Sequence, residues 1–157
     1  MRAAFTLLVL IIAGGMAYIR LAPSDPARWH VAPVVSAGGN GWTFLPAGAD
    51  AVVAKEGSAT AAVAVLGKSP EDVLSELDAI ALDTPRTARL AGSPEEGMIT
   101  WITRSKVFGF PDYTTAAARS EGPATHLTLH ARLRFGRGDH GVNAARLRDW
   151  LGQLTAR

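Results

Sequence analysis

ATHLTLHARLRF, residues 124 to 135, alternates apolar and polar side chains along its length. In an extended chain Leu127, Leu129, Ala131, Leu133 and Phe135 fall on one face, and His126, Thr128, His130, Arg132 and Arg134 on the other. This pattern predicts a strand with one face in a core and the other toward water or a ligand. Working outward, shorter β-type runs cover 42–45, 51–55, 60–66, 86–90, 98–107 and 113–119, separated by the turn-rich stretches PAGAD, EGS, GSPEEG, FGFPD and SEGP. Strands joined by short turns pair antiparallel, because parallel neighbours need long crossovers.

Two helices interrupt this series. Ser69, Pro70 and Asp72 supply an N-cap, a first-turn proline and a capping-box acid, and Val73, Leu74, Leu77, Ile80 and Ala81 recur at helical spacing. Glu71, Glu76 and Asp78 are expected on the solvated side of that helix. The second helix, about 143–155, carries Leu147, Trp150, Leu151 and Leu154 as its apolar stripe. Asn143 is expected as its N-cap, with Val142 packing on Leu147 as a hydrophobic staple. The fold class that follows is α+β: an antiparallel sheet of about six to seven short strands packed with helices at about 69–82 and 143–155.

Gly136 to Gly141 has the spacing G-x-G-x-x-G. A dinucleotide fold needs a parallel strand after the helix and an acid about 20 positions on. Here an antiparallel-type strand precedes the glycines, and 16 residues follow Gly141. The stretch therefore reads as a strand-to-helix corner in which Gly136, Gly141 and Asn143 shape the turn and Asp139 accepts from free backbone amides.

The 157 residues contain no cysteine, which removes disulfides, thiolate metal sites and cysteine nucleophiles. Net charge is only +2, and it is split. Residues 44–100 hold four basic and nine acidic side chains, whereas 101–157 hold nine basic and four acidic. This polarity suits an anion at one end and lacks the one-signed excess of a nucleic-acid binder.

Residues 3–19, AAFTLLVLIIAGGMAYI, form an uncharged run between Arg2 and Arg20. Two readings are open: a signal peptide cut after Ala17, or an uncleaved anchor with Tyr18, Arg20 and Trp29 near the membrane interface. Either exports the remainder. Pro23, Pro26 and Pro33, followed by Gly38, Gly39 and Gly41, make 21–41 a spacer with little regular structure that holds the domain, 42–157, off the membrane. The expected location is the bacterial inner membrane, single-pass with the domain facing the periplasm, or soluble periplasm after cleavage.

Among residues that could carry chemistry, His126 and His130 are about 13 Å apart on a strand and cannot share one metal ion. Neither a G-x-S-x-G elbow nor a P-loop lysine motif occurs. No cofactor is expected. Arg132 and Arg134 pair on the outer face of the last strand, and Arg104 with Lys106 form a similar pair on an earlier one. Brought together, and joined by Arg146, they would hold a phosphate, a carboxylate or a lipid headgroup; the plainer reading is a solvated face with ion pairs to Asp112 or Glu121. Phe108 and Phe110, in FGFPDY, either close the core at a strand corner or form an exposed apolar tip.

Two segments, DTPRTARLAGSPEEGMITWITRSKVFGFPDY (83–113) and ARLRFGRGDHGVNAARLRDWL (131–151), resemble a bacterial and plastid family, domain of unknown function 1499. The second is similar to the family signature S-R-S-R-x-G-x-S-D-L-G-V-N-x-x-R, which falls here on Arg132, Arg134, Gly136, Asp139, Gly141, Val142, Asn143 and Arg146. The chain departs from it at Ala131, Leu133, Gly138 and His140. With serine usual at 138, the second glycine of the apparent phosphate loop is incidental. The resemblance implies a small domain, often behind a membrane segment, with no established activity.

The leading expectation is a non-catalytic, membrane-tethered domain that binds or assembles. The alternatives are an enzyme of unrecognised type using Asp112, Asp139, His140 and the arginines, and a carrier with an apolar pocket between sheet and helices.

Overall fold

The computed structural model describes residues 1–34, 43–44 and 51–157, the pair 43–44 by its backbone. The second half of the expected spacer and the PAGAD turn lie outside the described residues. The helices are α1 (Arg2–Leu21), α2 (Pro26–Trp29), α3 (Pro70–Asp83) and α4 (Val142–Thr155). The strands are β1 (Thr43–Phe44), β2 (Val52–Lys55), β3 (Ser58–Leu66), β4 (Thr87–Ser93), β5 (Met98–Arg104), β6 (Pro111–Glu121) and β7 (Ala124–Leu133).

They form one sheet in the order β1-β3-β7-β6-β5-β4, with β2 also paired to β3. Among the described residues only β1 runs parallel to its neighbour. The expected α+β class holds. Helix α3 carries the chain from β3 to the far edge at β4, and the meander β4 to β7 then returns, so that β7 closes against β3 with Ser58 opposite Arg132 and Leu66 opposite Ala124.

Helices α3 and α4 pack on one face of the sheet, α3 across β4 to β7 and α4 across β2, β3 and β7. The predicted stripes are buried: Val73, Leu74, Leu77, Ile80 and Ala81 from α3, and Leu147, Trp150, Leu151 and Leu154 from α4. They meet Ile99, Trp101, Ala116, Leu127, Leu129 and Ala131 from the sheet, and Trp101 lies edge-on to Trp150 at 5.4 Å. The Trp150 Nε1–H donates to Thr84 Oγ1 at 2.9 Å, which satisfies the one polar atom of that ring.

Helix α3 starts as its sequence requires. Ser69 Oγ accepts from the Asp72 N–H, and Asp72 returns a carboxylate oxygen to the Ser69 N–H. One of its acids is not on the solvated side. Asp78 is buried, accepts from Trp101 Nε1 at 2.8 Å and pairs with Arg89. Trp101 needs an acceptor inside the core, and the α3 position that faces it supplies one. Glu76 pairs instead with Lys68.

Helix α4 departs from expectation at its start. Asn143 is fully buried and does not cap; Asp139, four residues earlier, accepts from the N–H groups of Gly141 and Asn143. A carboxylate there also meets the positive end of the helix dipole. His140 and Gly141 both take positive φ, 50° and 80°, which turns the chain sharply enough for Asp139 to reach back. Val142 is exposed and is the first residue inside α4, whereas a staple residue precedes the cap. Phe135 likewise leaves the core face of β7, since the strand ends at Leu133 and the ring joins Phe110 at 6.3 Å and Tyr18 at 6.1 Å.

Helix α1 has twenty residues, about 30 Å at 1.5 Å per residue, and none of it is buried. By length and composition it is apolar enough to cross a membrane, a test that a signal sequence also passes.

Replacing Trp150 by Ala should lower unfolding stability by about 3–5 kcal/mol through the lost packing. Trp150→Phe should cost less, because the phenyl ring keeps part of the packing and the Thr84 hydroxyl still donates to the Ile80 carbonyl. Urea unfolding of the three proteins in one detergent tests this, and equal losses for Ala and Phe would contradict the packing account.

Candidate functional site

The polar face of β7 was expected to meet water or a ligand; it meets the chain's own residues 22–30. Trp29 is buried against Tyr113, the two rings stacked at 3.8 Å and 8° apart. Its ring is packed inside the domain and is not exposed beside α1. Tyr113 is fully buried, and its hydroxyl lies 2.7 Å from Ser24 Oγ. Arg132 donates through Nη2 to the Trp29 carbonyl at 2.6 Å, with its guanidinium 5.3 Å from the centre of the indole ring. Arg134 donates to the carbonyls of Ala22 and Pro23 at 3.4 and 3.0 Å and to the Tyr113 hydroxyl at 3.2 Å. Further along, His30 Nδ1 lies 2.9 Å from Thr100 Oγ1, which lies 2.9 Å from Thr115 Oγ1.

These contacts have a common cause. Short helices leave carbonyls without internal partners at their C-terminal ends, and the Trp29 carbonyl at the end of α2 is one of them. An arginine presents five N–H donors in a rigid fork and no acceptor, so two arginines on one sheet face can hold several such carbonyls. The first part of the expected spacer is therefore a strap laid across the sheet. Helix α2 forms in it because Asp25 caps the start, accepting from the Ala27 N–H, and Pro26 takes the first helical position.

The remaining sequence candidates separate. Arg146 does not join the outer arginines: it lies on the helix side, with Nη1 on Asn143 Oδ1 at 2.7 Å and Nη2 on Asp112 at 3.4 Å. Burial pushes the Asp112 carboxyl above its ordinary range, opposed by the Arg146 charge, and burial pulls Arg146 down. Arg104 and Lys106 lie at the far end of β5, where Arg104 donates to the Gly109 carbonyl at 3.1 Å. The four outer cations thus divide into two pairs, one spent on the strap and one beside the 105–110 loop. Gly136 turns with φ of 96°. His140 is exposed, and Asp139 is committed to the α4 cap.

His130 sits beneath the strap next to Arg132, whose Nη1 is 3.2 Å from His130 Nδ1. Burial, then the charges of Arg132 and Lys55, hold this histidine below its ordinary value.

A family described as proteins of unknown function, DUF1499, matches residues 23–154, more than four fifths of the chain. The chain belongs to this family. The DUF1499 match begins at Pro23, inside the strap, so the strap is part of the family's domain and not a linker ahead of it. The signature side chains that resembled the family in sequence are the ones that hold this DUF1499 fold together: Arg132 and Arg134 grip the strap, Asp139 caps α4, and Asn143 and Arg146 bridge α4 to β6. A search of curated proteins finds no match.

Sequence reasoning missed the strap because prolines were read as breaking structure. The available signal was Trp29, a large aromatic in an otherwise polar stretch, and such a ring seldom stays in water.

Two outcomes follow from the titrating groups. His130 has a depressed value in the folded state, so its contribution is present at neutral pH and is lost as pH falls from the ordinary histidine value, about 6.5, through the folded one. The protection of amides 22–30 relative to their intrinsic exchange rates should fall on that descent, and His130→Gln should remove the dependence while Arg132→Ala lowers protection at every pH. Asp112 has the opposite sign. Its raised value means that stability falls as pH rises from the ordinary carboxylate range, about 3.9, through the folded value. The unfolding midpoint of the wild type should drop against Asp112→Asn over that interval, and parallel curves would refute the assignment.

Proposed function

We propose that the chain is a single-pass protein of the bacterial inner membrane whose domain faces the periplasm and works without catalysis, as a binding or structural unit carried at a set attitude to the bilayer. The strap is the observation that carries this reading. An anchor followed by a slack linker would let the domain roam, whereas here α1 runs to Leu21 and the very next residues are clamped: Ala22 and Pro23 by Arg134, Trp29 by Arg132 and Tyr113. A rigid junction between an apolar helix and a folded sheet serves placement.

Most of the side chains that an enzyme reading would employ are engaged elsewhere, and His140 lies exposed. Asp139 caps a helix, Asp112 pairs with Arg146, and the outer arginines hold carbonyls. A carrier reading needs space between sheet and helices, and that layer is filled by Trp101, Trp150, Leu74, Leu77, Leu127 and Leu129. Both considerations favour a scaffold that presents its surface.

The last turn of α1 is itself built into the folded domain. Tyr18 packs on Phe135, and Arg20 donates to the carbonyls of Val107 and Phe108, so both residues just beyond Ala17 belong to the folded domain's contacts. Expressed with a C-terminal reporter, the chain should stay in the membrane after alkaline extraction, keep the N-terminal sequence through Ala17, and expose the reporter on the periplasmic side. A soluble product starting at Tyr18, or a cytoplasmic reporter, would sink the reading.

A further inference from the structure

If α1 spans a bilayer, the end of the domain beside it meets the lipid surface, and that end is not generic. An aromatic row runs outward from the last turn of α1: Tyr18 to Phe135 at 6.1 Å, Phe135 to Phe110 at 6.3 Å, Phe110 to Phe108 at 5.7 Å. It ends at the tip of the 105–110 loop, where Val107 and Phe108 are 67% and 49% exposed. Arg20 bolts this tip to the helix, donating through Nη2 to the Val107 carbonyl at 3.1 Å and through Nε to the Phe108 carbonyl at 3.4 Å. Gly109 permits the approach, since a β-carbon there would lie 3.1 Å from the Arg20 side chain and at φ of 71°. The exposed apolar pair is thereby fixed at the depth of the helix's last turn, where tyrosine and arginine side chains mark the boundary of a spanning helix.

Beside the tip opens a cleft of about 310 Å³ lined by Arg20, Arg86, Arg104, Ser105, Lys106 and Gly109. It has four cations and no carboxylate in its lining. The arginines spend part of their donor set on carbonyls, Arg86 through Nε on Arg104 and Arg104 through Nη1 on Gly109, and keep other N–H groups for a ligand. Lys106 is exposed and has no partner among the described residues.

We propose that this cleft binds the phosphate of an anionic phospholipid, with Val107 and Phe108 inserted among the acyl chains next to α1. The inference rests on the spanning role of α1 and names the partner of that membrane-facing end. Arginine forks match phosphate oxygens, and a group of cations at headgroup depth is drawn to anionic lipid. A soluble phosphate would satisfy the cations but would leave the apolar tip in water. A lipid satisfies both, because its headgroup and chains are joined at the depth where cleft and tip adjoin.

The chain has no cysteine, so a single introduced one reports without background. The full chain is placed in nanodiscs of phosphatidylcholine with or without phosphatidylglycerol, carrying a nitroxide at Val107→Cys or, as control, at Glu96→Cys in the turn at the other end of β5. The label at 107 should read as immersed in acyl chain and the label at 96 as aqueous. Native mass spectrometry should show phosphatidylglycerol retained in preference to phosphatidylcholine, and Lys106→Glu should weaken that retention roughly tenfold. Phe108→Asp, at an exposed position, should lift the tip without unfolding the domain. An aqueous label at 107 in a chain that does insert, or retention unchanged by Lys106→Glu, overturns this inference alone. Full displacement of the lipid by inorganic phosphate assigns the cleft to a soluble anion and overturns it as well. A chain that fails to insert, or that has lost residues 1–17, overturns the anchor and this inference together.

Discussion

A guanidinium on an open sheet face needs acceptors, and a backbone carbonyl at the end of a short helix needs donors. In this domain each need answers the other. Arg132 and Arg134 take up the carbonyls of Ala22, Pro23 and Trp29, and through them the chain closes its second sheet face with its own N-terminal residues. Remove that match and Tyr113, Thr100, Thr115 and His130 would be left as a polar layer with nothing above it. The indole of Trp29 completes the arrangement, lying flat on the Tyr113 ring with Arg132 against it and Arg28 5.2 Å from its centre.

The two faces of the sheet are thus built on different principles. Under α3 and α4 the contact is a close-packed apolar layer in which Asp78 is held between Trp101 and Arg89, while Thr114 Oγ1 and Asn143 Nδ2 are buried without a hydrogen-bond partner among the described residues. Under the strap the contact is mostly hydrogen-bonded, with one stacked aromatic pair at its centre. Directional bonds from a fixed fork to a fixed carbonyl set position more sharply than apolar contact does, which suits a segment that joins α1 to one place at the sheet's end.

The elements set by side-chain period were legible. Alternation in 124–135 gives β7, its core face and its antiparallel partners, and the capping box at Ser69 with the stripe from Val73 to Ala81 gives α3. Leu147, Trp150 and Leu151 give α4 in the same way. What period does not encode was misplaced. Which of Asp139 and Asn143 caps α4 depends on the left-handed backbone at His140 and Gly141, and the burial of Asp78 depends on a tryptophan two elements away. The strap was hidden for a related reason. Its contacts join residues from seventy to more than a hundred positions apart, such as His30 with Thr100 and Trp29 with Arg132, and proline-rich composition speaks only to what the local chain cannot do. For the candidate site, the right residue types were visible as arginines, but their ligands were backbone carbonyls, which carry no side-chain signature.

The pairing of β3 with β7 has a consequence for how the molecule comes into being. Ser58 meets Arg132 and Leu66 meets Ala124, so the centre of the sheet joins segments from opposite ends of the domain. During vectorial synthesis the β2–β3 hairpin and α3 emerge long before their partner, and the ribosome must deliver β7 before the central ladder can zip. The strap waits on the same strand, because its clamps are β7's arginine and the one just beyond it. Whatever becomes of α1 during synthesis is therefore decided while the residues behind it are still an open chain, and the junction hardens only after Arg132 and Arg134 have been made.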